Sequence, residues 1–220
     1  MLKIDVLEFG SLLSYTPKPM TDAMEYSKKV KNLLKNDKRV SESNKDYVPF
    51  SEWAAKKVGN KKSELPFPEF FGEDVTLIPV PRSSLTQPNT LWVPLNIALA
   101  LVKNGLARAA EPILIRTKAV NQSSMVSARD RPSPLVHYDS MSVKEKLIQT
   151  DKIVLVDDVI TRGATAIGAV NKLFDAFPDK KFYCLAIMRT ISNPADFVNW
   201  YDPVRGIIKL RESGDTIRRP

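Results

Sequence analysis

Two adjacent carboxylates followed by a hydroxyl-rich turn are the residues of this chain best suited to chemistry. Asp157 and Asp158 come directly after the apolar run 153–156. The segment 161–165 then reads Thr-Arg-Gly-Ala-Thr. Continuous apolar runs are typical of strands buried on both faces, and open parallel sheets bind ligands beyond the carboxyl ends of such strands. We therefore expect both acids to face a ligand, and carboxylates suit the hydroxyl groups of a sugar.

The turn after the two acids has the features of a phosphate-binding loop. A helical pattern over residues 164–177 would place free N–H groups and the positive end of a helix dipole at this turn. Gly163 allows close backbone approach, and Thr161 and Thr165 offer hydroxyl hydrogen bonds. Arg162 offers a forked, charged contact. These features predict a phosphorylated sugar as the ligand; the alternative is a plain strand–turn–helix with solvated acids.

Residues 153–165 resemble the ribose-phosphate signature of type I phosphoribosyltransferases, enzymes that use phosphoribosyl pyrophosphate (PRPP) with Mg²⁺. The resemblance implies that Asp157 and Asp158 hold the ribose hydroxyls and, directly or through water, the metal ion. It also implies that residues 161–165, with the backbone of Ala164 among them, hold the 5′-phosphate. The implied fold is α/β, with a central, mostly parallel sheet flanked by helices and a small N-terminal hood.

A second motif lies upstream, where residues 76–79 read as a short buried strand that ends in a polar turn. The run Ile-Pro-Val-Pro-Arg-Ser at 78–83 resembles the pyrophosphate-binding loop of the branch related to competence protein F. By this resemblance, Arg82, Ser83 and Ser84 face the pyrophosphate of PRPP. The alternative is a proline-rich strand end with an exposed arginine. Members of that branch often begin with a Cys-rich zinc ribbon, which this chain lacks, so a role in DNA uptake is not indicated.

The polar segment 117–142 is long for a loop inside a compact domain, which is typical of lids. The same branch has a mobile loop here, and Arg116, Gln122 and Arg129 occur in the order of its basic and amide residues. Arg82 and Arg116 are the best candidates to stabilise departing pyrophosphate, and Lys118 is a weaker one. A solvated surface loop is the alternative.

Several other elements are predicted from local patterns. Ser142-Val143-Lys144-Glu145 is a capping-box pattern that predicts a helix start, and His137 is expected to face solvent. Strands are expected at 112–116 and 182–188, and a helix at 94–103 that ends near Gly105. Strands that alternate with helices indicate an α/β domain with a parallel sheet.

The composition sets limits on the class of protein. A chain of 220 residues that is 43% hydrophobic suffices for one sizeable core. One cysteine and one histidine leave no internal disulfide and no Cys/His zinc cluster, and Cys184 is expected to be a buried core thiol. The first ten residues are too polar for a secretory signal, and no apolar run is long enough to span a bilayer. We expect a soluble cytoplasmic protein.

The composition changes near residues 67–69. We predict a basic, mainly helical hood region at 1–70 and a phosphoribosyltransferase core at 71–220, with a mobile lid at about 117–142. The formal net charge is +8, and residues 18–62 hold twelve Lys and Arg against six Asp and Glu. Such an excess attracts nucleic acid or acidic substrates, but these lysines recur at spacings typical of a solvated helix face, and no nucleic-acid motif is present.

The resemblance implies a pentosyltransferase that displaces pyrophosphate from C1 of PRPP by a nitrogen acceptor. Enzymes for 6-oxopurines usually carry an Asp where this chain has Thr161, and the turn is more similar to that of orotate phosphoribosyltransferase, whose Lys- and Gly-rich hood is not evident. The base or amine acceptor is left open. The alternative is a non-catalytic regulator that senses PRPP or a nucleotide and binds nucleic acid or a protein partner. Homodimers are common in the family.

Overall fold

The computed structural model describes residues 2–42, 46–85, 89–121 and 131–220, which form an α/β fold. The strands are β1 (Val6–Tyr15), β2 (Arg39–Ser41), β3 (Tyr47–Pro49), β4 (Gly72–Pro79), β5 (Ala107–Ala110), β6 (Leu114–Arg116), β7 (Met141–Val143), β8 (Lys152–Ile160), β9 (Lys181–Thr190), β10 (Tyr201–Leu210) and β11 (Thr216–Arg219). The α-helices are α1 (Asp22–Lys35), α2 (Phe50–Lys61), α3 (Val93–Lys103), α4 (Pro134–Asp139) and α5 (Ala164–Ala176). Short 3-10 helices cover Lys62–Glu64, Pro68–Phe70 and Pro194–Asp196.

Seven strands form the central sheet in the order β11-β10-β1-β9-β8-β4-β5. Five of these strands are mutually parallel, namely β1, β9, β8, β4 and β5. The other two, β10 and β11, form an antiparallel edge. Two short pairs, β2 with β3 and β6 with β7, lie outside this sheet. Because β1, β8 and β4 are parallel, their carboxyl ends meet at the same edge of the sheet.

Helices cover both faces of the sheet. Alternate residues of β8 supply two separate cores: Val154 and Val156 pack in the core that includes residues of α1, α2 and α3. Ile153 and Leu155 pack in the core that includes residues of α5, on which α4 lies. This arrangement explains why β8 is apolar without interruption from Ile153 to Val156. None of the helices in the described ranges is long and apolar enough to cross a membrane.

The N-terminal region differs from the predicted mainly helical hood. It contains α1 and α2, but residues 6–15 form β1, which lies in the middle of the central sheet between β10 and β9. Ser11 and Ser14 interrupt the apolar pattern of β1, although both are buried, and the Ser14 hydroxyl donates to the carbonyl of Asn199 at 2.6 Å. The first strand therefore belongs to the central sheet. Residues far along the chain provide hydrogen-bond partners for its buried polar groups.

The long periodic segments match their predictions. The predicted helices at 164–177 and 94–103 are α5 and α3, and Gly105 has the positive φ (67°) of a helix C-terminal glycine. The run predicted as a strand at 182–188 lies within β9. Cys184 is a free, buried residue of that strand, as expected, and burial raises the pKa of its thiol.

The region around residue 142 does not match its prediction. The capping-box pattern at 142–145 starts no helix, because Met141–Val143 pairs as β7 with β6. The helix of this region, α4, begins earlier and is capped by the Ser133 hydroxyl, which accepts from the Val136 N–H at 3.4 Å. The apolar run 112–116 contributes β6 to this separate pair, and β5 takes the edge position in the central sheet.

Candidate functional site

A cleft of about 570 Å³ opens at the carboxyl edge of the parallel strands. It collects predicted residues from three separate parts of the chain. They are Asp157 and Asp158 near the end of β8 with Thr161 and Thr165 shortly after them, Arg82 and Ser83 after β4, and Arg116 at the end of β6. Acids, hydroxyls and guanidinium groups thus face one space, as the position beyond parallel strands favours.

The two carboxylates have different surroundings. Asp158 is 7% exposed, accepts from the Val159 N–H at 2.6 Å and pairs with the Lys35 ammonium at 2.8 Å. Asp157 is partly exposed to the cleft, and it accepts from the Asp158 N–H at 2.8 Å. Burial of the carboxyl group and the charge of Asp158 raise the pKa of Asp157 to about 7, although Lys35 opposes this shift. A cation or a hydroxyl donor in the cleft would therefore favour the ionised form of Asp157.

Lys35 is a site residue that sequence reasoning missed. It is the last residue of α1, and its ammonium bridges the N-terminal region to Asp158, 123 positions along the chain. The basic spacing of α1 predicted a solvated face, and no local signal distinguished Lys35 from the other lysines of that helix. Only the packing of α1 on the sheet assigns it to the cleft.

The turn between β8 and α5 leaves a helix N-terminus uncapped. Gly163 is the N-cap of α5, has a φ of 89° and contributes no capping side chain. The first N–H groups of a helix have no partners within it, so they are available to an anion. A small hollow of about 30 Å³ lies over this turn, with Arg131 at its rim. The Arg131 Nε is buried and has no hydrogen-bond partner among the described residues.

Gly163 is required by its surroundings as well as by its φ. A Cβ at this position would lie 2.5 Å from a side-chain carbon of Ile208. We expect Gly163→Ala to lower the free energy of unfolding by about 1 to 3 kcal/mol more than Gly214→Ala, which shares a positive φ of 80° but has open space around its Cβ. Urea unfolding of both variants measures the difference. Equal losses would mean that Ile208 does not confine the turn.

The hairpin of β10 and β11 holds the same turn from outside. The Arg218 Nε donates to the carbonyl of Thr161 at 2.8 Å, and the Arg162 guanidinium pairs with Asp215. Arg162, predicted to contact phosphate, borders the small hollow but already has this carboxylate partner. With Ile208 against Gly163, three contacts from the hairpin fix the turn in place.

Arg116 is a buried cation at the cleft. It is 5% exposed, and it donates to the carbonyl of Arg82 at 3.0 Å and to the Ser140 hydroxyl at 2.6 Å. It forms no ion pair with the described residues, and burial lowers its pKa to about 10 while Asp157 opposes this. The guanidinium thus stays charged at neutral pH, and a buried cation without a carboxylate partner favours an anionic ligand.

Of the other residues predicted to face pyrophosphate or to belong to the lid, some line the cleft and others do not. Arg82 is partly exposed and donates to the carbonyl of Leu91 at 2.7 Å, and the carbonyl of Ser83 accepts from the Val120 N–H at 2.9 Å. Ser84 and Lys118 are exposed and, within the described ranges, lie outside the cleft lining. The predicted lid residues Gln122 and Arg129 lie outside the described residues.

The expectation that His137 faces solvent is wrong. Its side chain is 3% exposed, its Nε2 lies 3.2 Å from the Thr165 hydroxyl, and it borders the cleft. The cause is close packing of α4 on α5, since a Cβ at Gly168 would lie 2.6 Å from the Cβ of His137. A glycine inside a predicted helix is the signal that could have indicated this contact.

His137 gives the stability of the fold a defined pH dependence. Burial and the charge of Arg116 lower the pKa of His137 to about 4, from an ordinary value of 6.5. Between these values the unfolded chain binds a proton that the folded chain does not, so stability is complete above pH 6.5 and falls as the pH drops towards 4. The loss attributable to His137 is about 2 to 3 kcal/mol.

The test compares the chain with His137→Asn by urea unfolding at pH 7, 5.5 and 4. We expect the stability advantage of the parent chain over the variant to shrink by that amount between pH 7 and pH 4. Other titrating groups, Asp157 included, contribute to both proteins and cancel in the comparison. A difference that stays constant with pH would contradict the role of His137.

The arrangement combines an acid pair and a buried guanidinium around one cleft with an uncapped helix N-terminus at the small hollow, which shares Asp157, Thr161 and Thr165 with the cleft. Chemically, it can hold a polyol through the acids and an anionic group at each of two separate places. No protein-family model matches the sequence, and no curated protein matches it significantly.

Proposed function

We propose that this protein is a phosphoribosyltransferase of the type I class. It binds PRPP with Mg²⁺ and transfers the phosphoribosyl group to a nitrogen acceptor with release of pyrophosphate. The observation that carries the proposal is the meeting of Asp157, Asp158, Thr161, Thr165 and Arg116 around one cleft. PRPP has a diol between two anionic ends, and this cleft offers acids between two anion-binding places.

The ribose 5-phosphate part of PRPP fits the turn between β8 and α5. The phosphate would accept hydrogen bonds from the free N–H groups of the first turn of α5 and from the hydroxyls of Thr161 and Thr165. Arg131, whose Nε has no hydrogen-bond partner among the described residues, lines the same hollow. The ribose hydroxyls would then donate to Asp157 and Asp158, which lie a few residues before the turn in the chain.

The pyrophosphate part of PRPP fits the side of the cleft formed after β4 and β6. Arg116, with Arg82 and Ser83 beside it, would face the phosphates. Negative charge grows on the leaving pyrophosphate as the bond to C1 breaks. A guanidinium fixed by bonds to Ser140 and the Arg82 carbonyl stabilises that charge without reorganising. The protein's main tasks are thus positioning and electrostatic stabilisation.

The acid pair fits Mg²⁺ as a partner of PRPP. Within the described residues, no group of three or more His, Cys, Asp and Glu side chains could hold a metal ion alone. Mg²⁺ usually binds through one or two carboxylates and completes its shell with water and substrate oxygens, so Asp157 and Asp158 suffice. When bound, the ion would neutralise part of the charge on pyrophosphate and favour the ionised form of Asp157.

Calorimetric titration with PRPP tests the proposal, with and without Mg²⁺. We expect tight binding that depends on Mg²⁺, with ribose 5-phosphate and pyrophosphate each binding more weakly than PRPP. A panel of nitrogen bases and amines, with pyrophosphate release as readout, tests the transfer. Absence of Mg²⁺-dependent PRPP binding would refute the proposal. Binding without pyrophosphate release from any acceptor would favour the non-catalytic sensor.

A further inference from the structure

The wall of the cleft built by β1 and α1 carries a cation that the proposed PRPP contacts leave unused. Lys31 and Lys35 are four residues apart on α1, so they lie on the same helix face, and both line the cleft. Lys35 pairs with Asp158, whereas Lys31 forms no ion pair with the described residues. Its charged neighbours, Lys28 and Lys35, have the same sign. This cation lacks an anion within the described parts of the chain.

An aromatic ring and an amide accompany Lys31 on this wall. The Lys31 ammonium lies 5.8 Å from the ring centre of Tyr15, the last residue of β1. Asn36, directly after α1, also lines the cleft. The wall therefore offers a π surface, a hydrogen-bonding amide and a positive charge close together, which suits a flat, polar ligand with an anionic group.

The position of this wall suits the acceptor of the proposed transfer. In the sheet, β1 lies two strands from β8 on one side, and β4 lies next to β8 on the other. Neighbouring strands are about 4.8 Å apart, so Tyr15 lies about 10 Å across the sheet from β8, on the side away from Arg82. Tyr15 is level with the turn that follows the acids, because it pairs with Thr190 of β9 and the adjacent Arg189 pairs with Ile160 of β8. Displacement at C1 needs the attacking nitrogen and the departing pyrophosphate on opposite sides of the sugar carbon. The acids between the two walls would hold that sugar.

We propose that the wall of Tyr15, Lys31 and Asn36 selects a planar nitrogen heterocycle or arylamine that carries a carboxylate. The carboxylate would pair with Lys31, and the ring would lie against Tyr15. This inference rests on the proposed function and specifies its acceptor class. An uncharged acceptor would leave the partly buried Lys31 without a partner, and sites built to pair a polar group discriminate strongly against ligands that lack it.

The transfer itself balances without another reactant. The lone pair of the acceptor nitrogen forms the bond to C1 while the bond from C1 to the pyrophosphate oxygen breaks. Pyrophosphate leaves with that electron pair. Where the acceptor nitrogen carries a proton, the proton passes to water at the open side of the cleft. No oxidant or reductant is needed.

Matched acceptor pairs test the inference: orotate against uracil, nicotinate against nicotinamide, and anthranilate against aniline. With PRPP and Mg²⁺, we expect one carboxylated member to release pyrophosphate at least about 100-fold more efficiently than its uncharged partner. Lys31→Gln should remove about 100-fold of that efficiency and leave PRPP affinity within about twofold, whereas Lys31→Arg should retain most of it. Lys29→Gln, an exposed lysine of the same helix, is the matched control.

A binding measurement accompanies the kinetics, because it needs no turnover. Each probe is titrated into protein saturated with Mg²⁺ and ribose 5-phosphate, and a carboxylated probe should bind with a preference that Lys31→Gln removes. Three results would overturn the acceptor inference alone, provided that PRPP still binds with Mg²⁺. The probes show no preference for the carboxylate, Lys31→Gln leaves the preference unchanged, or no probe binds. Absence of PRPP binding would remove the proposed function and this inference together.

Discussion

Replacing both acids, Asp157→Asn with Asp158→Asn, is expected to abolish the Mg²⁺-dependent binding of PRPP. Hydrogen bonds to charged groups contribute about 1.5 to 3 kcal/mol each, so losing two ionised acceptors costs about 3 to 6 kcal/mol. That corresponds to a loss of roughly 10² to 10⁴ in affinity. Calorimetric titration at pH 8, where Asp157 is ionised in the parent chain, measures the loss.

PRPP binding that remains in the double variant should differ from that of the parent in its dependence on Mg²⁺ and on salt. Without the two acids, Lys35, Arg82 and Arg116 would still line the cleft and attract an anion. Any PRPP binding that survives in the double variant should therefore be independent of Mg²⁺ and strongly weakened by salt. Binding that keeps both its strength and its Mg²⁺ dependence would refute the assignment of the acid pair.

A matched control has the same change of net charge away from the cleft. Asp151 and Asp179 are exposed, and the double replacement of these residues by Asn should leave PRPP affinity unchanged.

The single variant Asp157→Asn shows whether the fold is retained. Burial raises the pKa of the Asp157 carboxyl group, so the folded protein loses stability as the pH rises towards that pKa, and the full loss is present at pH 8. Asp157→Asn should thus be at least as stable as the parent at pH 8, as thermal unfolding would measure.

Arg116 is expected to affect turnover far more than the binding of ribose 5-phosphate. Its guanidinium faces the proposed pyrophosphate position and lacks a carboxylate partner among the described residues. Losing one preorganised group that stabilises growing charge typically costs about 10² to 10³ in turnover. We expect Arg116→Gln to lower kcat by this amount while the affinity for ribose 5-phosphate, which the 161–165 turn would hold, stays within about threefold.

Two further variants separate chemistry from folding. Arg116→Lys keeps the charge but loses the fork that reaches both Ser140 and the Arg82 carbonyl, so intermediate turnover is expected. Arg108→Gln removes an exposed arginine of β5 and should leave turnover unchanged. Urea unfolding of each variant shows whether the fold is retained. Equal turnover in folded Arg116→Gln and in the parent would exclude Arg116 from pyrophosphate departure.

The residues of the central motif could be predicted because their signals are local. Strand β8 is apolar on both faces, Gly163 follows the acids, and the helical spacing of α5 starts directly after it. Each of these features depends on neighbours within a few residues, so a short stretch of sequence contains the complete pattern. The same holds for α3 and its terminal glycine.

Contacts between distant segments could not be predicted in this way. The ion pair of Lys35 with Asp158 joins residues 123 positions apart, and α1 shows only a basic helix with an apolar stripe. His137 is buried by α5, whose Gly168 admits α4 at close range. Strand β1 gains its place from partners in β9 and β10, more than 160 residues away. In each case the partner, not the local pattern, sets the environment.

The amino-acid sequence by itself thus determined the acid pair, the glycine turn after it and the succession of buried strands and helices, because backbone preferences and hydrophobic periodicity act over a few residues. Only the tertiary structure decided which cations face the acids, that the first strand lies inside the sheet, and that Arg116 has no carboxylate partner among the described residues. Charge pairing and burial depend on distance in space, which the order of residues specifies only through the folded packing of the whole chain.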